Sequence, residues 1–88
     1  MATRARIEVK NETGLHARPA ALFAETAKRF SSNIAVFHGE KKANAKSITS
    51  LLLLGINKGA SIEIEADGPD EAEAIKVLQG LIDSLSGR

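Results

Sequence analysis

Apolar residues recur at every second position in two stretches of the chain, and a third short stretch is almost wholly apolar; together they predict three β-strands. The first strand is centred on Ile7 and Val9, with charged residues between the apolar ones. The second covers Asn33 to Phe37, and the third runs from Ile62 to Ala66, where glutamates alternate with apolar residues. A weaker pattern predicts a short fourth strand at Lys41 to Asn44, paired with the second in a hairpin.

Three further stretches have apolar residues at spacings of three and four, which predicts helices. The first covers Ala17 to Phe30. The second starts at Ser47, a preferred N-cap residue, and ends near Leu54, before a glycine. The third begins at Pro69, because proline is tolerated in a first turn. The apolar face predicted for this third helix consists of Ala72, Ile75, Leu78, Ile82 and Leu85.

The predicted order of elements is β-α-β-β-α-β-α. Each clear strand has one apolar and one charged side, so helices should cover only one face of the sheet and leave the other in contact with water. A chain of 88 residues has room for one domain, which we expect to span residues 1–88. The predicted fold class is α+β, an open-faced β-sandwich.

Composition and charge exclude several classes of function. The net charge is +1 and the only aromatic residues are three phenylalanines, so nucleic-acid binding is not expected. The chain has no cysteine, which removes disulfides, thiolate metal sites and cysteine nucleophiles. Its two histidines, His16 and His38, lie in different predicted elements and lack metal-ligand spacing, so we expect no metal and no cofactor. We find no signal peptide and no apolar run that could insert into a membrane, and therefore expect a soluble, cytoplasmic protein.

One segment has unusual chemistry, Gly14-Leu15-His16-Ala17-Arg18-Pro19-Ala20. With Pro19 in the first turn of a helix, His16 occupies or adjoins the N-cap, where Ser, Thr, Asp or Asn is usual. The amides of Ala17 and Arg18 are free to bind an anion, and the Arg18 guanidinium can contact phosphate oxygens. The helix terminus also disfavours the imidazolium and keeps the ring nucleophilic. Two interpretations stay open from the residues alone: a phosphoryl acceptor, or an exposed histidine at a helix start with an incidental arginine.

The same segment resembles the active-site signature of HPr, the family of histidine-containing phosphocarriers of the bacterial phosphoenolpyruvate:sugar phosphotransferase system. A second motif, Ala45-Lys46-Ser47-Ile48 followed by Leu51 and Gly55, resembles the family's regulatory serine region. Gly59-Ala60 and Asp67-Gly68 continue the match. The resemblance covers almost the whole chain, and two motifs in the same order make it specific. It implies a four-stranded antiparallel sheet with three helices on one face.

The resemblance also implies roles for individual residues. His16 would be phosphorylated on Nδ1, Arg18 would steady the phosphoryl group, and the Ala17 and Arg18 amides would bind its oxygens. Phosphate would arrive from enzyme I, itself charged by phosphoenolpyruvate, and leave to an enzyme IIA-type protein. The chain would thus be a carrier in a relay and not an enzyme with turnover of its own.

Ser47 has two compatible roles, because a serine here caps a helix whether or not a kinase exists. In family members that have an HPr kinase/phosphorylase, the matching serine is phosphorylated. The second helix also carries more apolar residues than one face can bury, so Leu52 and Leu53 are expected to point at least partly away from the core. The partner surface implied by the family consists of Ala17, Ala21, Lys46, Ile48, Leu52 and Leu53.

Some features leave alternatives open. Many family members have lysines at the positions of Glu25 and Ser50, so the choice of partners is in question. A nitrogen-related regulatory paralogue is one alternative, and a regulatory interaction domain acting through Ser47 is another. A free-standing enzyme or ligand-binding module of similar architecture is a third. His38 matches no motif and is expected to be a solvated histidine in the hairpin turn. A carrier that presents one face to successive partners is expected to be a monomer.

Overall fold

The computed structural model of the protein describes residues 2–10 and 17–86. Its elements follow the predicted order β-α-β-β-α-β-α. The strands are β1 (Thr3–Glu8), β2 (Asn33–His38), β3 (Lys41–Asn44) and β4 (Ser61–Asp67). The helices are α1 (Ala17–Ala27), α2 (Ile48–Leu53) and α3 (Glu71–Ser86). The weakly predicted fourth strand, here β3, is therefore confirmed.

The four strands form one sheet in the order β1-β4-β2-β3, and every neighbouring pair is antiparallel. The register places apolar residues of adjacent strands opposite one another: Ile7 faces Ile62, and Val36 faces Ile64. Because side chains alternate along a strand, this register puts the apolar residues of all strands on the same face. The predicted alternation is thus what allows a single buried face.

The helices cover that apolar face and leave the other in contact with water. Phe23 of α1, Leu51 of α2 and Leu78 of α3 are each completely buried with the inner residues of the strands. The outer face carries ion pairs from Arg4 to Glu63 and Glu65 at 3.0 Å, and from Arg6 to Glu63 at 3.1 Å. Exposed pairs of this kind contribute little to stability. The open-faced sandwich predicted from the pattern is the observed architecture.

Two predicted helices differ from the observed ones. The first ends at Ala27 and not at Phe30, because the backbone tightens into three-residue hydrogen bonds at this end (Phe30 N to Ala27 O, 3.2 Å). Phe30 nevertheless packs against the core. The third starts at Glu71, two residues after Pro69, and the prediction that Ala72 faces the core is wrong. Ala74 is buried instead, and Ala72 lies roughly a third of a turn from the middle of the buried stripe.

The prediction for His38 is also wrong. It is the last residue of β2 and pairs with Lys41, so the turn consists of the two residues between them. The imidazole is half-buried, and its Nδ1 lies 3.2 Å from the carbonyl oxygen of Leu54 at the end of α2. This contact joins residues from different elements, which local hydropathy patterns do not predict.

A polar contact fixes the α1–β2 connection against the start of α3. Asp70 accepts hydrogen bonds from the amides of Ser31 (2.9 Å) and Ser32 (3.0 Å) and from the buried hydroxyl of Ser32. The Ser32 hydroxyl and then the Ser31 amide are the main groups that hold the pKa of Asp70 below its usual value. Gly68 packs so closely on Ser32 that a Cβ there would lie 2.6 Å from the Ser32 Cα.

Candidate functional site

The start of α1 is the part of the predicted phosphate site that the structure describes. His16 lies outside the described residues, whereas Ala17 and Arg18 are exposed in the first turn, and Pro19 follows them. Proline is tolerated there, because the first amides of a helix have no partner within it. That turn contains no acidic residue, and Arg18 forms no ion pair with another described residue. The described part of this turn therefore presents an exposed guanidinium at the positive end of the helix dipole, a combination that favours an anion.

Ser47 is the N-cap of α2, as the sequence predicts. Its backbone is extended (φ −117°, ψ 116°), and its Oγ accepts a hydrogen bond from the amide of Ser50 at 3.2 Å. Its carbonyl oxygen accepts from the amide of Leu51 at 3.1 Å. The side chain is half-buried in this capping arrangement, so capping alone accounts for a serine here.

The leucines of α2 and its C-cap divide into a buried and an exposed pair. Leu51 is 0% and Leu54 4% exposed, whereas Leu52 is 41% and Leu53 74% exposed. This confirms that the helix carries more apolar residues than the core takes. On α1, Leu22 is 46% exposed as well, although the sequence analysis did not select it. The sequence feature that indicates this exposure is the position of Leu22 outside the buried stripe of α1, which consists of Ala20, Phe23, Ala24 and Ala27.

The other predicted partner residues lie on or beside the same two helices, which contact each other. Ala17 is exposed, Ala21 is half-buried, and the half-buried Ile48 packs against the core. Lys46 lies in the loop before α2, where its Nζ donates a hydrogen bond to the carbonyl oxygen of Phe30 at 2.8 Å. Besides its predicted place on the partner surface, Lys46 therefore links this loop to the residues that follow α1.

The described part of the chain, residues 2–10 and 17–86, contains no group of three side chains that could hold a metal ion. Over the same residues, no helix combines the length and apolar character needed to cross a membrane. The chemistry visible in this region is that of a cationic helix start beside an apolar helix surface.

Comparison with known proteins agrees with this arrangement. Residues 3–84 match the family model described as the PTS HPr component phosphorylation site. The chain is 44% identical over 81 residues to the phosphocarrier protein HPr of Neisseria meningitidis, covering 92% of this chain and 91% of that protein. It is 47% identical over 78 residues to the HPr-like protein Crh of Halalkalibacterium halodurans, covering 89% and 93% of the two chains.

Solved structures show the same fold. HPr from Thermoanaerobacter tengcongensis superposes with a TM-score of 0.93 at 52% identity, over 98% of this chain and 97% of that one. A structure described as an HPr dimer from the same organism has a TM-score of 0.78 at 55% identity, over 93% and 94% of the chains. The family model and the relatives cover nearly the whole chain, which therefore belongs to the HPr family of phosphotransferase-system phosphocarrier proteins.

Proposed function

We propose that this protein accepts a phosphoryl group on Nδ1 of His16 from phosphorylated enzyme I and passes it to enzyme IIA-type proteins for sugar uptake. The observation that carries the proposal is the family match over residues 3–84, which includes His16 and the exposed, carboxylate-free first turn of α1. A cytoplasmic location fits a relay between these partners. The protein is a carrier in this scheme, since it ends each cycle unchanged and needs a donor and an acceptor protein.

Phosphoryl transfer to His16 requires a neutral imidazole positioned beside groups that stabilise negative charge. The Nδ1 lone pair of His16 attacks phosphorus, an N–P bond forms, and the bond from phosphorus to the donor breaks with its electron pair returning to the donor. Arg18 and the Ala17 and Arg18 amides bind the phosphoryl oxygens during transfer. Positioning and electrostatics supply most of the catalysis in phosphoryl transfer, so this small set of groups is sufficient.

The test uses the purified protein with phosphoenolpyruvate and a catalytic amount of enzyme I, followed by intact-mass spectrometry. We expect one phosphoryl group, which brief acid treatment removes because phosphohistidine is acid-labile. The chain has only two histidines, so His38→Ala is a matched control for His16→Ala. We expect the His38 variant to be phosphorylated and the His16 variant to stay unmodified. Phosphorylation of His16→Ala at the normal rate would disprove the proposal.

A second function, regulation through Ser47, is favoured by the 47% identity to the HPr-like protein Crh. A phosphate on Ser47 would lie at the start of α2, where its negative charge is compatible with the helix dipole. It would add charge to the helix that carries Leu52 and Leu53 at its other end, and would weaken docking of partners that recognise this surface. This role is additional to that of His16, which a purely regulatory domain would not need.

Incubation with ATP and an HPr kinase/phosphorylase tests the regulatory role. We expect an acid-stable phosphate on the parent protein and none on Ser47→Ala. The control is Ser50→Ala, which removes the next serine along the same helix and should still be modified. If the parent stays unmodified by a kinase that modifies another HPr, regulation through Ser47 is refuted, while the carrier role of His16 is unaffected.

The surface formed by Ala17, Ala21, Lys46, Ile48, Leu52 and Leu53 is proposed as the shared docking site for these partners. A small apolar patch with a charged rim suits short-lived complexes. We expect the free protein to be a monomer, so that this surface is available. Sedimentation at micromolar concentration tests that state, and a stable dimer would contradict it.

A further inference from the structure

His38 reaches across the fold to the end of α2. Its Nδ1 lies 3.2 Å from the carbonyl oxygen of Leu54, the C-cap residue of that helix. A carbonyl oxygen can only accept a hydrogen bond, so Nδ1 carries the hydrogen and donates it. Nδ1 carries a hydrogen in one neutral tautomer and in the imidazolium, so the contact is compatible with both charge states of the ring.

The helix that His38 contacts, α2, is too short to be stable without tertiary contacts. An isolated helix of the six residues Ile48–Leu53 is unstable in water, so tertiary contacts and its two ends fix its conformation. Ser47 caps the first end. At the second end, the amides of Leu54 and Gly55 donate to carbonyl oxygens three residues earlier, both at 3.2 Å. The carbonyl of Leu54 then accepts from His38.

The backbone position at the C-terminal end of α2 determines where the exposed side chains of this helix lie. The exposed Leu52 and Leu53 directly precede Leu54, which is itself buried. A shift of the Leu54 carbonyl therefore moves the backbone that carries both exposed side chains. Gly55, with φ +63°, turns the chain immediately afterwards, so the helix does not continue beyond this point.

We infer that His38 is a positioning residue for docking: through Leu54 it fixes the last turn of α2 and so orients Leu52 and Leu53 toward protein partners. The part that concerns partners rests on the proposed function. His38 touches no reacting group in this scheme. Its effect is on how well partners bind and not on the phosphoryl transfer itself.

Three variants separate the hydrogen bond from other effects of the substitution. In His38→Asn, the side-chain Nδ2 is as many bonds from the backbone as the histidine Nδ1, so the donor is retained. In His38→Gln, the amide nitrogen corresponds to Nε2 instead, and the donor at the Nδ1 position is lost. His38→Ala removes the side chain.

Amide hydrogen exchange, measured by NMR on the free protein, provides the first readout. We expect the Leu54 and Gly55 amides to exchange about three- to tenfold faster in the Gln and Ala variants, the factor that one net hydrogen bond provides. In the Asn variant we expect exchange within about twofold of the parent. Equal exchange in all four proteins would overturn the inference.

The second readout is phosphorylation by enzyme I. We expect the Gln and Ala variants to raise the apparent KM for the protein by about the same factor with kcat unchanged, and the Asn variant to restore it. A structural defect elsewhere would not be rescued by Asn while Gln fails. Faster exchange with an unchanged KM would overturn the docking role. If the parent itself accepts no phosphate, the proposed function fails, and the exchange data still decide whether His38 fixes α2.

Discussion

Substitution of Gly68 by alanine is the sharpest test of how the β4–α3 connection packs against the α1–β2 connection. Gly68 lies between β4 and α3, against the connection from α1 to β2. A Cβ at this position would lie 2.6 Å from the Ser32 Cα and 2.7 Å from the Ser32 Oγ. Carbon atoms prefer a separation of about 3.5–4.0 Å, and a backbone atom cannot rotate out of the way. The two connections therefore have to move apart by about an ångström.

That displacement sets the expected loss of stability. Forcing extra atoms into a packed region costs about 1–3 kcal/mol, and a backbone contact places Gly68→Ala in the upper part of that range. For a domain of this size, each kcal/mol lowers Tm by roughly 4–8 °C. We therefore expect Gly68→Ala to lose about 2–3 kcal/mol of unfolding free energy and at least about 8 °C in Tm. The bonds from Ser31 and Ser32 to Asp70 should lengthen at the same time.

Urea denaturation monitored by far-ultraviolet circular dichroism provides the measurement, because the chain has no tryptophan or tyrosine for fluorescence. Gly80→Ala is the matched control. Gly80 is exposed within α3, and a Cβ there would have no atom within 4 Å. Alanine at such a site should raise stability by about 0.5–1 kcal/mol. If Gly68→Ala changes stability by less than about 0.5 kcal/mol while Gly80→Ala behaves as expected, the close contact argued for Ser32 is refuted.

Four further outcomes are expected. Asp70→Asn should destabilise the fold at neutral pH, and in acid titrations the difference in unfolding free energy from the parent should shrink below about pH 4. The reason is that the lowered pKa of Asp70 in the folded state contributes stability that is lost as pH falls. A pH-independent difference would contradict this. Leu51→Ala should lose about 2–5 kcal/mol of unfolding free energy in urea denaturation, and Leu53→Ala less than about 0.5 kcal/mol, since only Leu51 is buried. Equal losses would contradict the observed burial. Ser47→Ala should lose about 1 kcal/mol and Ser47→Asp almost none, because aspartate also caps helices; an equally large loss for both would rule out capping. Arg18→Ala should slow phosphorylation by enzyme I without changing Tm, because Arg18 is exposed; an unchanged rate would remove it from the site.

Elements that depend on neighbours within a few residues were predictable. The period-two strands, the Ser47 cap and the exposed Leu52 and Leu53 all follow from local spacing, and the structure has each of them. The boundaries were less accurate. Hydropathy alone cannot tell that α1 tightens after Ala27, or that Ala72 falls outside the stripe of α3, because both depend on where the helix meets the sheet.

The candidate site shows the same division. The segment with His16 and Arg18 is contiguous, so its residue types alone mark it as a candidate anion site, and the family match covers it. The bond from Lys46 to the Phe30 carbonyl and the contact of His38 with Leu54 each join residues 16 positions apart. No local pattern marks such pairs, which is why His38 was predicted to be a solvated turn residue.

The sequence by itself determined which segments become strands and helices, which face of each is apolar, and which residues are candidates for binding phosphate. These properties depend on backbone preference and side-chain alternation over one or two turns. The tertiary structure decided the strand order β1-β4-β2-β3 and the contacts of Ser32 with Asp70 and of His38 with α2. Those contacts arise only when the apolar faces of all elements are buried together, because that packing brings residues distant in the chain within hydrogen-bond reach.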